Sequence, residues 1–194
     1  MAAAFGGAYH TLLLTESANV YACGLNNMGQ LGVGVFDEEK KCMAPDHTAE
    51  PLLVEGLEGK GVTALAGGEH HSVALTESGD VYAFGRGDNN QLGFADGTDQ
   101  QLTPRLVRAL AGVPIRKVAV QSNSNVAVAR TGDLYSWGFG EMGQLCNGKA
   151  GDERTPTPPS VTAGSPEEGA SDGHQSAAGG DEDSDEWRGT RVRH

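Results

Sequence analysis

The chain has 194 residues, 38% of them hydrophobic and 29 of them glycine, with a formal charge of −12 at pH 7. That length holds one or two domains, and the glycine content suits a turn-punctuated all-β chain better than a helical one. Neither the repeats nor the C-terminal stretch is basic enough to read as a surface for duplex phosphate on its own, and no apolar run approaches the roughly 18 residues of a membrane-crossing helix, so no membrane partner is expected.

From the N-terminus, Met1–Ala4 are too short and weakly apolar for a leader, and Ala2–Phe5 read as a strand that enters a sheet part-way. Gly6–Gly32, GGAYHTLLLTESANVYACGLNNMGQLG, is the first of three copies of one unit. The second is Gly67–Gly93, GGEHHSVALTESGDVYAFGRGDNNQLG, and the third, weaker, is Val120–Cys146. His10 and His71 are 61 residues apart, as are Tyr21 and Tyr82; Tyr82 to Tyr135 and Gln91 to Gln144 are both 53. A constant offset within each pair means gapless alignment, so the eight extra residues lie between motifs, where a surface loop tolerates them.

Within the second copy, Gly67 and Gly68 allow positive φ or close backbone approach. Ser72–Thr76, with Val73 and Leu75 alternating with small or polar residues, has the period of a half-buried strand. Glu77–Asp80 is a tight turn, Val81–Phe84 the returning strand, and Asp88–Asn90 a polar loop before Gln91, Leu92 and Gly93. Pro51–Glu55, Val62–Ala66, Thr103–Arg108 and Arg116–Val120 are further strand candidates. Four short antiparallel strands recurring at this period mark propeller blades. The fold class expected is therefore all-β, with about three blades over residues 1–160, the first truncated, and a light core of Leu, Val and Ala.

Val35–Ala49, VFDEEKKCMAPDHTA, reads as a solvated loop between blades that is also a candidate partner contact. Its Cys42, Asp46 and His47 lack a second ligand pair, and no metal is expected. Cys23, Cys42 and Cys146 contain no C-x-x-C and read as reduced thiols of a nuclear or cytosolic chain, Cys23 as a small buried residue. In the third copy Val120 and Gln121 replace the glycine pair, Ser124 replaces His71, Cys146 replaces Gly93, and Trp137 replaces Phe84 in the core. Residues 161–194 carry eight acids and three arginines, net −5, and read as a disordered acidic tail. Ser184 lies among carboxylates there, as acidophilic kinases favour.

No catalytic residue emerges: there is no GxSxG elbow, no phosphate loop and no dinucleotide fingerprint, so no cofactor and no small-molecule substrate are expected. His10 and His71 repeat at strand starts, where each would satisfy backbone groups near a propeller axis.

GGEHHSVALTESGDVYAFG followed by NNQLG resembles the repeat of the regulator of chromosome condensation family. GLNNMGQLG, a long loop, a Pro-led strand at Pro51 and the next GG-x-H-H follow in the family's order. The resemblance covers residues 1–160 and implies three consecutive blades of a seven-bladed propeller. Three copies do not close such a ring, so the chain is expected to be a fragment or to be completed by another copy of itself. The resemblance further implies guanine nucleotide exchange on the small GTPase Ran in the nucleus, by stabilising the nucleotide-free GTPase. His71 and Asn27 match the family's exchange-face positions, and His10 repeats the His71 position; all three are candidate partner-binding residues. The wedge hairpin and carboxylates that the family draws from earlier blades have no counterpart here. Histones or chromatin are further partners implied. The alternatives are a non-catalytic scaffold propeller, as in ubiquitin ligases, kinases or cytoskeletal adaptors, with a cytoplasmic location, and a secreted or bacterial-type repeat protein.

Overall fold

Thr76 and Asp80 close the hairpin of the second copy twice over. The Thr76 amide donates to the Asp80 carbonyl, and the Asp80 amide donates to Thr76 Oγ1 at 3.1 Å, with Gly79 at φ +93° between them. Thr15 and Asn19 make the same pair of bonds in the first copy, with Ala18 in the left-handed position. A side-chain hydroxyl that mimics a turn acceptor makes these hairpins form locally.

The computed structural model describes residues 3–39 and 42–158. They form three four-stranded antiparallel sheets. The first contains β1 (Ala3–Gly6), β2 (His10–Leu14), β3 (Val20–Leu25) and, beyond a small hairpin of β4 (Val35–Asp37) and β5 (Cys42–Ala44), β6 (His47–Leu53). The second runs in order through β7 (Val62–Gly67), β8 (His71–Thr76), β9 (Val81–Arg86) and β10 (Gln100–Leu106). The third is β11 (Ile115–Gln121), β12 (Ser124–Ala129), β13 (Leu134–Gly138) and β14 (Glu153–Thr157). The expected truncated first blade has all four strands; only β1, four residues against six in β7, is short. The acidic tail expected over 161–194 lies outside the described residues.

The sheets pack face to face, and their two interfaces are the core. Leu12, Leu14, Val20 and Ala22 of the first sheet meet Val62, Leu65, Ala74 and Phe84 of the second. Val73, Leu75, Val81 and Ala83 of the second meet Ile115, Ala127, Ala129 and Trp137 of the third. The strand Ser72–Thr76, expected to be half-buried, is therefore buried throughout β8, because neighbouring blades cover both its faces. In β2 the expected alternation does hold.

Aromatic wedges add to the aliphatic core that the composition suggests. Phe84 and Trp137 are fully buried, each against a glycine of the preceding blade: a Cβ at Gly32 would come within 2.9 Å of the Phe84 ring, and one at Gly93 within 2.9 Å of Trp137 Nε1. Trp137 Nε1 donates to the Gln91 carbonyl at 3.1 Å. Cys23 occupies the Phe84 position of the first blade and is half-buried rather than buried.

The eight extra residues lie between β3 and β6, a connection of 21 residues against 13 between β9 and β10. They are more ordered than a solvated loop. Met43 of β5 is buried, while Val35 and Phe36 of β4 are exposed. Fully buried Asn26 fastens the hairpin, donating to the Val33 and Pro45 carbonyls at 3.0 and 2.9 Å and accepting from the Leu31 amide.

Gly93→Ala places a Cβ against Trp137 at φ +73° and is expected to destabilise by about 1–3 kcal/mol. Urea unfolding measures this, and an unchanged midpoint would remove the aromatic wedge from the account.

Candidate interaction face

At one end of the strands the loops before β2, β8 and β12 meet the loops after β3, β9 and β13. Ser72 Oγ has one proton and gives it to the Gln30 carbonyl at 2.7 Å. It therefore accepts from His10 Nε2, 2.8 Å away. Asn125, which replaces Ser72 in the third blade, donates through Nδ2 to the Gln91 carbonyl at 2.9 Å and accepts through Oδ1 from His71 Nε2, also at 2.9 Å. Both imidazoles thus carry a proton on Nε2, each staple linking one blade to the next. The Nδ1 atoms are buried without a protein hydrogen-bond partner. Burial pushes both pKa values down to about 4, and at His71 the hydrogen bond to Asn125 opposes part of the shift.

His71 is 0% exposed and His10 4%. Within the described residues both rings, expected as partner-binding groups, are enclosed at the joint between blades. The next blade covers each ring, and the hydrogen bond goes to that blade's side chain rather than to backbone. Asn27 is exposed, with Oδ1 accepting from Gln30 Nε2 at 3.0 Å. The same loop position carries Asp88 and Glu141 in the other blades, both exposed.

Gln30 and Gln91 hold this face together and were visible in the sequence only as a spacing. Gln30 Oε1 accepts from the Met28 amide and Gln91 Oε1 from the Asn89 amide, fixing each loop. Their amide groups reach the next blade, Gln30 Nε2 toward His70 Nδ1 at 3.4 Å and Gln91 Nε2 to Asn123 Oδ1 at 3.3 Å. The Tyr9 ring stacks on His70 with centroids 5.2 Å apart, yet Tyr9 remains 57% exposed. Arg86 is spent on Asp88, donating from Nε and Nη2 at 2.7 Å each.

Gly68 is needed here for space rather than for forbidden backbone angles, since its φ is not positive. A Cβ would overlap the His71 ring and the Ser122 carbonyl, as one on Gly7 would overlap the His10 ring. In the third blade Gln121 occupies the glycine position and Ser124 the histidine position, a paired change that removes the ring and restores the room.

Three stacked four-stranded antiparallel sheets, tied by repeating staples at one end, define consecutive blades of a β-propeller. The model of the regulator of chromosome condensation (RCC1) repeat matches residues 17–75, 78–128 and 131–180, and the chain belongs to that family. The first two matches are offset from the blades, running from the hairpin turn of one blade to the second strand of the next. Protein pim1 of Schizosaccharomyces pombe is 37% identical over 155 residues, covering 73% of this chain and 28% of pim1. The ultraviolet-B receptor UVR8 of Arabidopsis thaliana is 34% identical over 159 residues, covering 81% of this chain and 34% of the receptor. The crystal structure of Prp20p from Saccharomyces cerevisiae superposes with a TM-score of 0.70 at 28% identity, over 83% of this chain and 38% of Prp20p. The chain spans about a third or less of the length of these curated relatives.

Two outcomes follow from the staples. Because unfolded imidazoles titrate near 6.5 and folded ones near 4, the unfolded state binds more protons in between. The staples' contribution is full above pH 6.5 and declines as pH falls toward 4, by on the order of 3 kcal/mol per imidazole. Urea titrations at pH 7.5, 6 and 5 check this, with a shallower slope expected for His71→Asn; a flat profile would mean that the folded rings take up protons. Gly68→Gln should destabilise by about 1–3 kcal/mol, and adding His71→Ser should recover part of the loss, as in the third blade. Strict additivity in that double-mutant cycle would sever glycine from histidine.

Proposed function

We propose that this chain forms part of a guanine nucleotide exchange factor for a Ran-type small GTPase, acting in the nucleus by holding the nucleotide-free state. The support is the family together with one neighbour: Prp20p, at TM-score 0.70, is a protein whose structure is described with its binding to Gsp1p and histones. Exchange without bond chemistry asks for a preorganised surface that binds the empty GTPase more tightly than the loaded one. The loop face suits this, since buried glutamines and histidines hold it rigid while Asn27, Tyr9 and Glu69 remain accessible. With His10 and His71 buried, Asn27 is the family position on this face that is left to touch a partner. The chain's charge of −12 suits basic partners, histones included.

A second reading, a non-catalytic scaffold propeller, draws on UVR8, a receptor as similar to this chain as pim1 is within a few per cent identity. The two diverge in one assay, release of fluorescent GDP from Ran by this chain and by a form extended to seven blades. The exchange reading expects acceleration by the extended form, reduced by Asn27→Ala. A folded seven-bladed form that leaves release at its spontaneous rate would favour the scaffold.

A further inference from the structure

A cavity of about 430 Å³ opens on the loop face, lined by Ala8, Tyr9, Gly67, Gly68, Glu69 and Ser122. Its size falls within the roughly 300–1,000 Å³ of small-ligand pockets. The three repeats explain why it is there. The position of Glu69 carries Ala8 in the first blade and Ser122 in the third, so one long acidic side chain stands between two small ones. The floor is glycine, and backbone bonds tie the loops across the blades: the Ala8 amide donates to the Gly68 carbonyl at 3.0 Å and the Glu69 amide to the Ser122 carbonyl at 2.9 Å.

Glu69 is held in place but not neutralised. Its Oε2 accepts from Asn123 Nδ2 at 3.1 Å and from Ser122 Oγ at 3.4 Å. Among the described residues Oε1 faces His70 Nε2 at 3.9 Å, beyond hydrogen-bond distance. Gln30 Nε2 has only protons to give and faces His70 Nδ1 at 3.4 Å. Arg86, whose charge reaches Glu69, is already paired with Asp88 through Nε and Nη2. Beside this carboxylate stands Tyr9, one face stacked on His70 and more than half of its surface open.

A preoriented carboxylate with unused lone pairs, an exposed aromatic face and a floor without side chains make a receptor for one cationic side chain. We propose that this cavity takes a lysine or arginine side chain of a protein partner, its charge on Glu69 Oε1 and its methylene stem along Tyr9. This deepens the exchange reading by naming the chemistry that the face recognises, and it holds equally for a scaffold. The orienting bonds from Asn123 and Ser122 make Glu69 a better receptor than a freely rotating surface carboxylate, because its rotamer is fixed before the partner arrives.

The test uses acetyl-Gly-Arg-Gly-amide and acetyl-Gly-Lys-Gly-amide, titrated into the full chain while the Tyr9 and His70 ring resonances are followed by NMR. The citrulline peptide supplies the neutral isostere. Both cationic peptides are expected to shift the two rings, with affinity about tenfold lower for citrulline and for Glu69→Gln, and within about twofold of the parent for Glu141→Gln, which removes an equal charge elsewhere. No shift of either ring, or equal losses in Glu69→Gln and Glu141→Gln, would overturn the proposal, the latter by reducing the effect to net charge. Peptide binding without any GDP release from Ran by the seven-bladed form would leave this site standing and remove only the exchange reading.

Discussion

A single backbone carbonyl per blade, that of Gln30 and then of Gln91, governs how the blades join. It lies at the end of a loop where no strand partner reaches it, and a buried carbonyl left unpaired is costly. The next blade supplies the donor, Ser72 in one case and Asn125 in the other, and a histidine of the carbonyl's own blade donates to that same side chain. The surrounding residues follow from this arrangement. Gly7 and Gly68 leave room for the imidazole. Gly24, Gly85 and Gly138, at φ near +100°, let β3, β9 and β13 pass the carbonyls of Tyr9, His70 and Asn123, where a Cβ would overlap.

Much of the fold was legible because the chain repeats itself. Constant offsets of 61 and 53 fixed the blades, the hairpins and the site of the insertion without any contact being known. The burial of β8 on both faces was not legible, since Val73 and Leu75 alternate with Ser72 and Ala74 just as they would in a strand with one wet face. Small residues packed against a neighbouring sheet look the same in sequence as small residues facing solvent. The β4–β5 hairpin was hidden for a related reason, since its order comes from Asn26, nineteen residues away from the Pro45 carbonyl that it binds.

At the loop face, recurrence and exposure part company. The histidines recur in two of the three blades, and a residue that recurs from blade to blade is as apt to serve the joint between blades as a partner outside them. Residues that break the repeat point outward instead. Glu69 stands where its counterparts are Ala8 and Ser122, Tyr9 where they are His70 and Asn123, and both lie open on the loop face. The staples hold that face rigid, and the irregular positions give it its chemistry. A surface that must discriminate between two states of a partner benefits from both, since rigidity lowers the ordering cost of binding and an oriented charge favours one register over another.

The central claim is that His10 and His71 are neutral, Nε2-protonated links between blades, and the most direct measurement is the tautomer and charge of the two imidazoles by long-range ¹H–¹⁵N correlation NMR across pH 7 to 5. The account predicts two rings with a protonated Nε2 and a bare Nδ1 throughout that range. An Nδ1–H tautomer, or an imidazolium at His71 by pH 6, would contradict it, because Ser72 and Asn125 would then no longer be receiving the proton on which each joint is built.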